Sequence, residues 1–412
     1  MRIESLAGLV VGLIVWQGMS GLRAASAAEF PLQRSSDEER QAFERAKDRL
    51  LSRAAAPVPL LSESDESWFW RVAARMEPLL TAYEYSGDQA FIDAFVPIMD
   101  QVLSQRYAHP MQPDVWSGWW HYDDPNHMHF MPIHAAIMYY TPALRCIRAV
   151  RADAALKARY GDKVEAWFKD ITEVSIPAWD KRGIWHDLGD QGGWYTHTTH
   201  YPDKATGEIV QRTDTYQGSS LAYNKVHALI QSFCLLYRMT GDDWYRRRIE
   251  QCERFFRSHW RIDDSHVEWN YRDFSGPWDY VNGVDGRTKT GYFVHPKDGY
   301  YRADVEAIVD CYNVGIVFTK ADIERLVQTN VEFMWLDDES NPQFRKINGT
   351  YDAEAQYGKG YLWTSLAQFS PRVRELWKAQ SGGRRSSTGY LIAVSEPVSW
   401  EPAYVREIRR DP

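Results

Sequence analysis

The chain has 412 residues, 44% hydrophobic and 25% charged, with 56 acidic against 48 basic side chains for a net charge of −8. This composition excludes a disordered or fibrous protein, and the acidic balance argues against a general nucleic-acid binder, which needs a basic surface. An acidic ligand stays admissible, because a few cations in one cleft override a mildly acidic surface. Trp, Tyr and Phe together make 14% of the chain; part of that is core, but flat amphipathic rings are also how proteins hold sugars.

Residues 1–28 read as a secretory signal peptide. Arg2 supplies the positive start, residues 6–15 a short apolar run, and Ala25-Ser26-Ala27 or Ser26-Ala27-Ala28 the small-residue cleavage site. The run is too short for a comfortable membrane span, so the expectation is a periplasmic or secreted protein with no membrane contact after cleavage. The four cysteines, Cys146, Cys234, Cys252 and Cys311, form no zinc spacing and lie in apolar helical patterns. They read as buried free thiols, with a Cys234–Cys252 bridge as the alternative.

Helical periodicity dominates the body of the chain. After a lone helix at 37–52, a hairpin is predicted at 70–85 and 91–103, turning at Ser86-Gly87-Asp88. Others follow at 133–150 with 163–176, at 221–237 with 244–260, at 305–318 with 323–336, and at 361–369 with 373–378. Two tips share the pattern Tyr-x-x-x-Gly-Asp-x-x-aromatic, from Tyr83 to Phe91 and from Tyr237 to Tyr245, a degenerate internal repeat. Strand signals are confined to 389–394 and to the stretch around 267–271. The predicted fold is mainly α: an α/α toroid, an incomplete barrel of helical hairpins, with a short C-terminal β/strap segment. Residues 29–380 would form the catalytic domain and 381–412 the strap.

Three long loops, 116–132, 183–217 and 266–302, carry most of the histidines and many of the tryptophans, and function is expected there. Trp119, Trp120, Asn126, His127, Trp194, His197, His200, Tyr271 and Arg272 are the candidate substrate contacts. Asn224 and His227, three apart at a helix start, either form a helix cap and a satisfied ring or point an amide and imidazole at a carboxylate. His295, Tyr300, Tyr301 and Arg302 lie in or beside a Gly loop that feeds a helix starting near Ala303. They either pack or supply a phenol acid or base beside a guanidinium that grips carboxylates. His127, His129, His134, His197 and His200 are spaced too loosely for a metal site, so no metal and no cofactor are called for. Among the carboxylates, loop-borne Asp187 and Asp190 form the most plausible glycosidase pair, while Asp304 and Glu306, two apart on a helix, face different ways.

The stretches Y-N-K-x-H-A-L (223–229), L-Y-R-x-T-G-D-x-W-Y (236–245), W-N-Y-R-D-x-x-G-P-W-D (269–279), H-P-K-D-G-Y-Y-R-A-D-V-E-A-I-V (295–309) and G-I-V-F-T-K-A-D-I-E-R-L (315–326) resemble α/α-toroid polysaccharide lyases over about residues 65–340. The chain looks most like polysaccharide lyase family 38, the glucuronan and alginate lyase group. The resemblance implies β-elimination on a polyuronate. Asn224, His227 and Arg302 would neutralise the uronate carboxylate, and His295 with Tyr300 or Tyr301 would move protons; Asn126-His127 is the competing neutralising pair. The expected partner is an acidic polysaccharide or oligosaccharide. The alternatives are a glycoside hydrolase or a uronyl C5-epimerase on the same scaffold, or a non-catalytic periplasmic sugar-binding protein.

Overall fold

The computed structural model describes residues 30–61, 66–124, 126–212, 216–281 and 287–380. Residues 1–28, expected to be a signal peptide, and residues 381–412, expected to form a strap with a strand at 389–394, lie outside the described residues. No helix among the described residues is long and apolar enough to cross a membrane.

Helix α1 (Asp37–Ala54) is opened by a capping box in which Ser36 and Glu39 satisfy each other's backbone N–H groups. It packs on the first hairpin, α2 (Ser67–Ser86) and α3 (Ala90–Leu103). Helix α2 stops where Gly87 takes φ 73°, a left-handed conformation that lets its N–H close on the Tyr83 carbonyl. The second hairpin begins with α4 (Pro132–Ala135), which runs through a π-helical turn (Ala136–Tyr140) into α5 (Thr141–Ala152). Asp153 then caps α6 (Ala154–Asp170), accepting from the N–H groups of Ala155 and Leu156, and a further π turn leads to α7 (Pro177–Lys181). The returning helix therefore starts nine residues before the position 163 expected from periodicity; a single aspartate suffices as both stop and cap.

The third hairpin is α8 (Tyr223–Thr240) and α9 (Asp243–Ser258), its tip formed by Gly241 at φ 68° and by Asp242, whose side chain caps Trp244. The fourth is α10 (Gly299–Asn313) and α11 (Lys320–Gln328), the latter opened by a Thr319–Asp322 capping box and prolonged by a π turn (Thr329–Met334). Helix α12 (Pro371–Gln380) closes the described chain, preceded by a 3-10 turn (Thr364–Gln368) where a hairpin helix was expected.

Helices α2, α5, α8 and α10 pack side by side in chain order, and each is backed by its own hairpin partner, α3, α6, α9 or α11. This is the α/α toroid in incomplete form. The core runs through the packed faces, with Phe69, Met76, Phe95, Leu144, Ile147, Leu229, Phe233, Phe256 and Ile308 all buried. The tips of the hairpins are short. The connections that lead from an outer helix back to the next inner helix are long, and all of them arrive at the N-terminal ends of the inner helices.

These long connections hold ten short strands paired antiparallel in twos. They are β1 (Tyr107–Ala108) with β2 (Ser117–Gly118), β3 (Trp120–Asp124) with β4 (His127–Phe130), β5 (Trp185–Asp187) with β6 (Gly193–Tyr195), β7 (His200–Pro202) with β8 (Ile209–Gln211), and β9 (Arg261–Ile262) with β10 (Val267–Glu268). Only the last was foreshadowed in sequence. Ladders of two to five residues lack the length over which alternation can be read.

Candidate active site

Four inner helices direct their N-termini at one rim, so their unpaired N–H groups and dipoles make that rim electropositive. Glu66 precedes α2 and reaches the His134 ring at 3.5 Å. The adjacent His134 ring holds the Glu66 carboxyl down at about 2, with His121 and Lys225 adding to the effect, so it is ionised. His134 lies flat on Phe69, ring centroids 4.0 Å apart, and its burial pushes it down to about 4, so it is a neutral imidazole. One turn after Glu66, the Trp70 indole is 42% exposed. Across the mouth, Tyr300 opens α10 and stacks on Tyr271 at 5.2 Å, with the His295 ring 4.9 Å away. Burial lowers His295, and Lys297 and Arg272 lower it further; its Nδ1 accepts from the Lys297 N–H. Burial also raises the Tyr271 phenol, in a setting that includes Glu66.

The expected lyase constellation is dispersed by this geometry. Asn224 lies inside α8, whose N-cap is Ala222, and its Oδ1 is buried with no hydrogen-bond partner. His227 is fully buried: its Nδ1 is 2.6 Å from Asp304 and its Nε2 3.5 Å from Glu253. Burial alone would depress it, but Glu253 and Asp304 raise it to about 10, making it a structural imidazolium between α8, α9 and α10. Burial pushes the Asp304 carboxyl up, while His227 and the Trp269 indole N–H at 3.0 Å pull it back.

Helix α10 begins at Gly299, not near Ala303, which puts Tyr300 and Tyr301 about 100° apart on one helical turn. Tyr300 therefore faces the mouth. Tyr301 is buried in the core and its hydroxyl accepts the His295 N–H at 2.7 Å. Arg302 is half-exposed and pairs with Glu306 at 3.4 Å, on its own helix, instead of gripping a carboxylate beside Asn224.

Of the candidate sugar contacts, Tyr271 and Arg272 belong to the mouth, and one Arg272 Nη is buried without a partner. Trp119 and Trp194 do not: both are buried and donate to backbone carbonyls, of Val102 and Leu221. Trp120 packs against the core. Asn126 gives its carbonyl to the Lys204 N–H, and His127 meets the Arg212 guanidinium at 3.3 Å. His197 is buried against Tyr216, and exposed His200 touches the Thr199 hydroxyl. His121, His129, His134 and His197 form a chain of ring contacts 4.8–6.0 Å apart; among the described residues no group of three or more His, Cys, Asp or Glu could hold a metal ion. The four cysteines are free and buried, and Cys234 approaches Cys311 at 3.7 Å, not Cys252.

Below the mouth the inner helices keep a polar stripe between them. On α2 it comprises Glu77, Thr81 and Glu84, continuing the face of Trp70 and Ala74; on α10 it comprises Arg302, Glu306 and Asp310. Arg145 of α5 clamps Glu84 through Nη2 at 2.6 Å. The Glu306 carboxyl is pushed up to about 7 by burial, against the pull of Arg302, and Glu77 and Asp310 push it the same way. Burial likewise lifts Asp310 to about 6, opposed by Arg238, Arg145 and Arg148. Asp304, two residues before Glu306, turns into the core instead. Asp187 and Asp190 lie far from this stripe: both are exposed beside the outer helix α9, where Asp187 caps Gly189 and faces Gln251. The proposed glycosidase pair is corrected accordingly.

No family model and no curated protein matches the sequence. Among solved structures the chain is similar to the GH76A α-1,6-mannanase of Salegentibacter sp. HEL1_6, with 9% identity and a TM-score of 0.47 over 88% of this chain and 100% of that one. An inactive double variant of the same enzyme bound to α-1,6-mannotetrose gives 10% identity and 0.47 over 89% and 100%. A family 76 glycoside hydrolase from a bovine Bacteroides thetaiotaomicron strain gives 11% identity and 0.44 over 86% and 67%. These neighbours are glycoside hydrolases and not polysaccharide lyases. The resemblance to polysaccharide lyase family 38 is corrected by them, and with it the lyase activity and the glucuronan or alginate substrate. The burial of Asn224, His227 and Tyr301 is the physical counterpart of that correction.

Proposed function

We propose that the chain is a glycoside hydrolase that admits a saccharide at the aromatic mouth and cleaves it against the carboxyls of the lumen. The observation that supports this is the placement of Glu306 and Asp310 one helical turn apart on the part-exposed face of α10; their surroundings push both carboxyls up, to about 7 and about 6. Side chains at i and i+4 have their Cβ atoms about 5–6 Å apart. Glycosidases need two carboxyl groups at roughly 5–9.5 Å, one protonated and one ionised. Near neutral pH roughly half of Glu306 carries the proton that the departing glycosidic oxygen needs. Asp310, with the lower value, is the ionised partner on the opposite side of the bond, steadied by Arg145 and Arg238. Helix rise puts Glu306 about 9 Å below Tyr300, within one or two sugar rings of the mouth. Trp70, Tyr271 and Tyr300 offer faces on which those rings can lie.

The test is release of reducing ends from a panel of neutral polysaccharides (mannans, xylans, glucans and galactans). The wild type should act on at least one. Glu306→Gln should lose ~10²–10⁴-fold in rate, the usual share of a general acid. A wild type inactive on every member, or a Glu306→Gln variant with unchanged rate, refutes the proposal.

A further inference from the structure

Beside the mouth, Pro296, Lys346, Thr350, Tyr351, Gln356 and Tyr357 line a cleft of ≈ 390 Å³. That size lies within the ~300–1,000 Å³ of small-ligand sites. Its walls are fixed. The buried Asp298 carboxylate accepts the N–H groups of Ile347 and Tyr361, at 3.1 and 3.2 Å, tying the 346–361 segment to the start of α10. The Lys346 N–H donates to the Thr350 carbonyl and the Asp352 N–H to that of Gly358. Gly358 packs so closely on the Asp352 backbone that no side chain fits there. Two tyrosines are nevertheless left open on this rigid frame, Tyr351 at 38% and Tyr357 at 44% exposure. Lys297 joins cleft to mouth, its ammonium 5.1 Å from the Tyr300 ring and 5.8 Å from that of Tyr357.

We infer that this cleft is a saccharide subsite, continuous with the mouth, that holds an uncharged hexose of the chain whose cleavage is proposed above and on which reading it rests. The chemistry fits a hydroxyl-rich ring. Two phenol faces can take its C–H face, and the Thr350 hydroxyl, Gln356 amide and Lys346 ammonium can meet its rim. Lys346 and Asp352 line the cleft with opposite charges, so the lining carries no net charge, and Lys297 stands at its junction with the mouth.

Calorimetric titration of the Glu306→Gln protein with α-1,6-mannotetraose, cellotetraose and maltotetraose tests this without turnover. At least one tetrasaccharide should bind, and adding Tyr357→Ala should weaken it about tenfold, the loss expected for one stacking face. Gln356→Ala, which leaves both rings in place, should weaken it less but measurably. The inference is overturned if none of the three binds, or if Tyr357→Ala and Gln356→Ala bind as tightly as their parent. Tyr357-dependent binding by a wild type that hydrolyses nothing leaves the subsite standing and removes the hydrolase reading. Glu306-dependent hydrolysis with KM unchanged in Tyr357→Ala removes the subsite alone.

Discussion

Replacing His227 by leucine tests the assignment of this histidine to the scaffold. The ring is 0% exposed and holds Asp304 at 2.6 Å and Glu253 at 3.5 Å, themselves 2% and 0% exposed. Leucine fills much of the volume but removes the positive charge, leaving two buried carboxylates with no counter-charge, only Asp304 keeping a donor in the Trp269 indole. Breaking a buried ion pair from one side costs about 3–5 kcal/mol, a large part of the roughly 5–15 kcal/mol that holds a domain together. A second route gives the same size. The imidazole is raised from 6.5 to about 10, and each unit is worth about 1.4 kcal/mol, so the charged form contributes on the order of 5 kcal/mol. The sign follows from a folded-state value above the unfolded one: the contribution is complete below pH 6.5 and is lost as pH rises through about 10. Urea unfolding at pH 6, 8 and 10.5 reads both effects. His227→Leu should be less stable by several kcal/mol at pH 6, and the gap should shrink steeply by pH 10.5. A gap below about 1 kcal/mol at pH 6, or one that stays constant across the range, would refute the buried-imidazolium account.

The lumen carboxyls give the opposite slope. Glu306 and Asp310 are raised from 4.5 and 3.8 to about 7 and about 6, so the folded chain keeps protons that the unfolded chain has released, and their contribution to stability falls as pH rises from about 4 to about 7. The Glu306→Gln/Asp310→Asn double variant should gain in urea midpoint over the wild type between pH 4.5 and 7.5; a relative loss would sink this. Tyr301→Phe should cost about 1–3 kcal/mol because it strips the partner from the His295 N–H, whereas Tyr300→Phe, at the mouth, should stay within about 0.5 kcal/mol of wild type. Equal costs, or the reverse order, in urea unfolding would contradict the placement of the two rings.

The hairpins were legible because their signals are local. The Gly87 and Gly241 stops, and Asp242 as a cap, declare themselves by residue type. The loops were harder. Their histidines and tryptophans look like an open site, yet Trp119, Trp194, His129, His134 and His197 are buried. The loops fold over the rim and join the helical core, and composition cannot separate a ring that packs from one that waits for a sugar. Glu66, Trp70, Glu77 and Asp310 were overlooked because a charge on an amphipathic helix reads as the solvated face. A usable signal did exist: α2, α5, α8 and α10 are inner helices, covered on the outside by their partners, so a polar stripe on one of them has to face the lumen. In α10 the two-residue step from Asp304 to Glu306 separates the buried face from the open one. The step from Tyr300 to Tyr301 does the same, but it could be resolved only once the helix start was fixed at Gly299.

The four buried thiols also make the scaffold its own stopwatch. Cys146 lies on α5, Cys234 on α8, Cys252 on α9 and Cys311 on α10, so the second, third and fourth hairpins each carry a silent reporter. Burial raises the thiols of Cys146, Cys252 and Cys311 and keeps them unreactive while the hairpins stay packed. A thiol reagent reaches them only when the surrounding helices part. The order in which the four are labelled would therefore rank the hairpins by how often each breathes, a map of local opening obtained without any engineered probe.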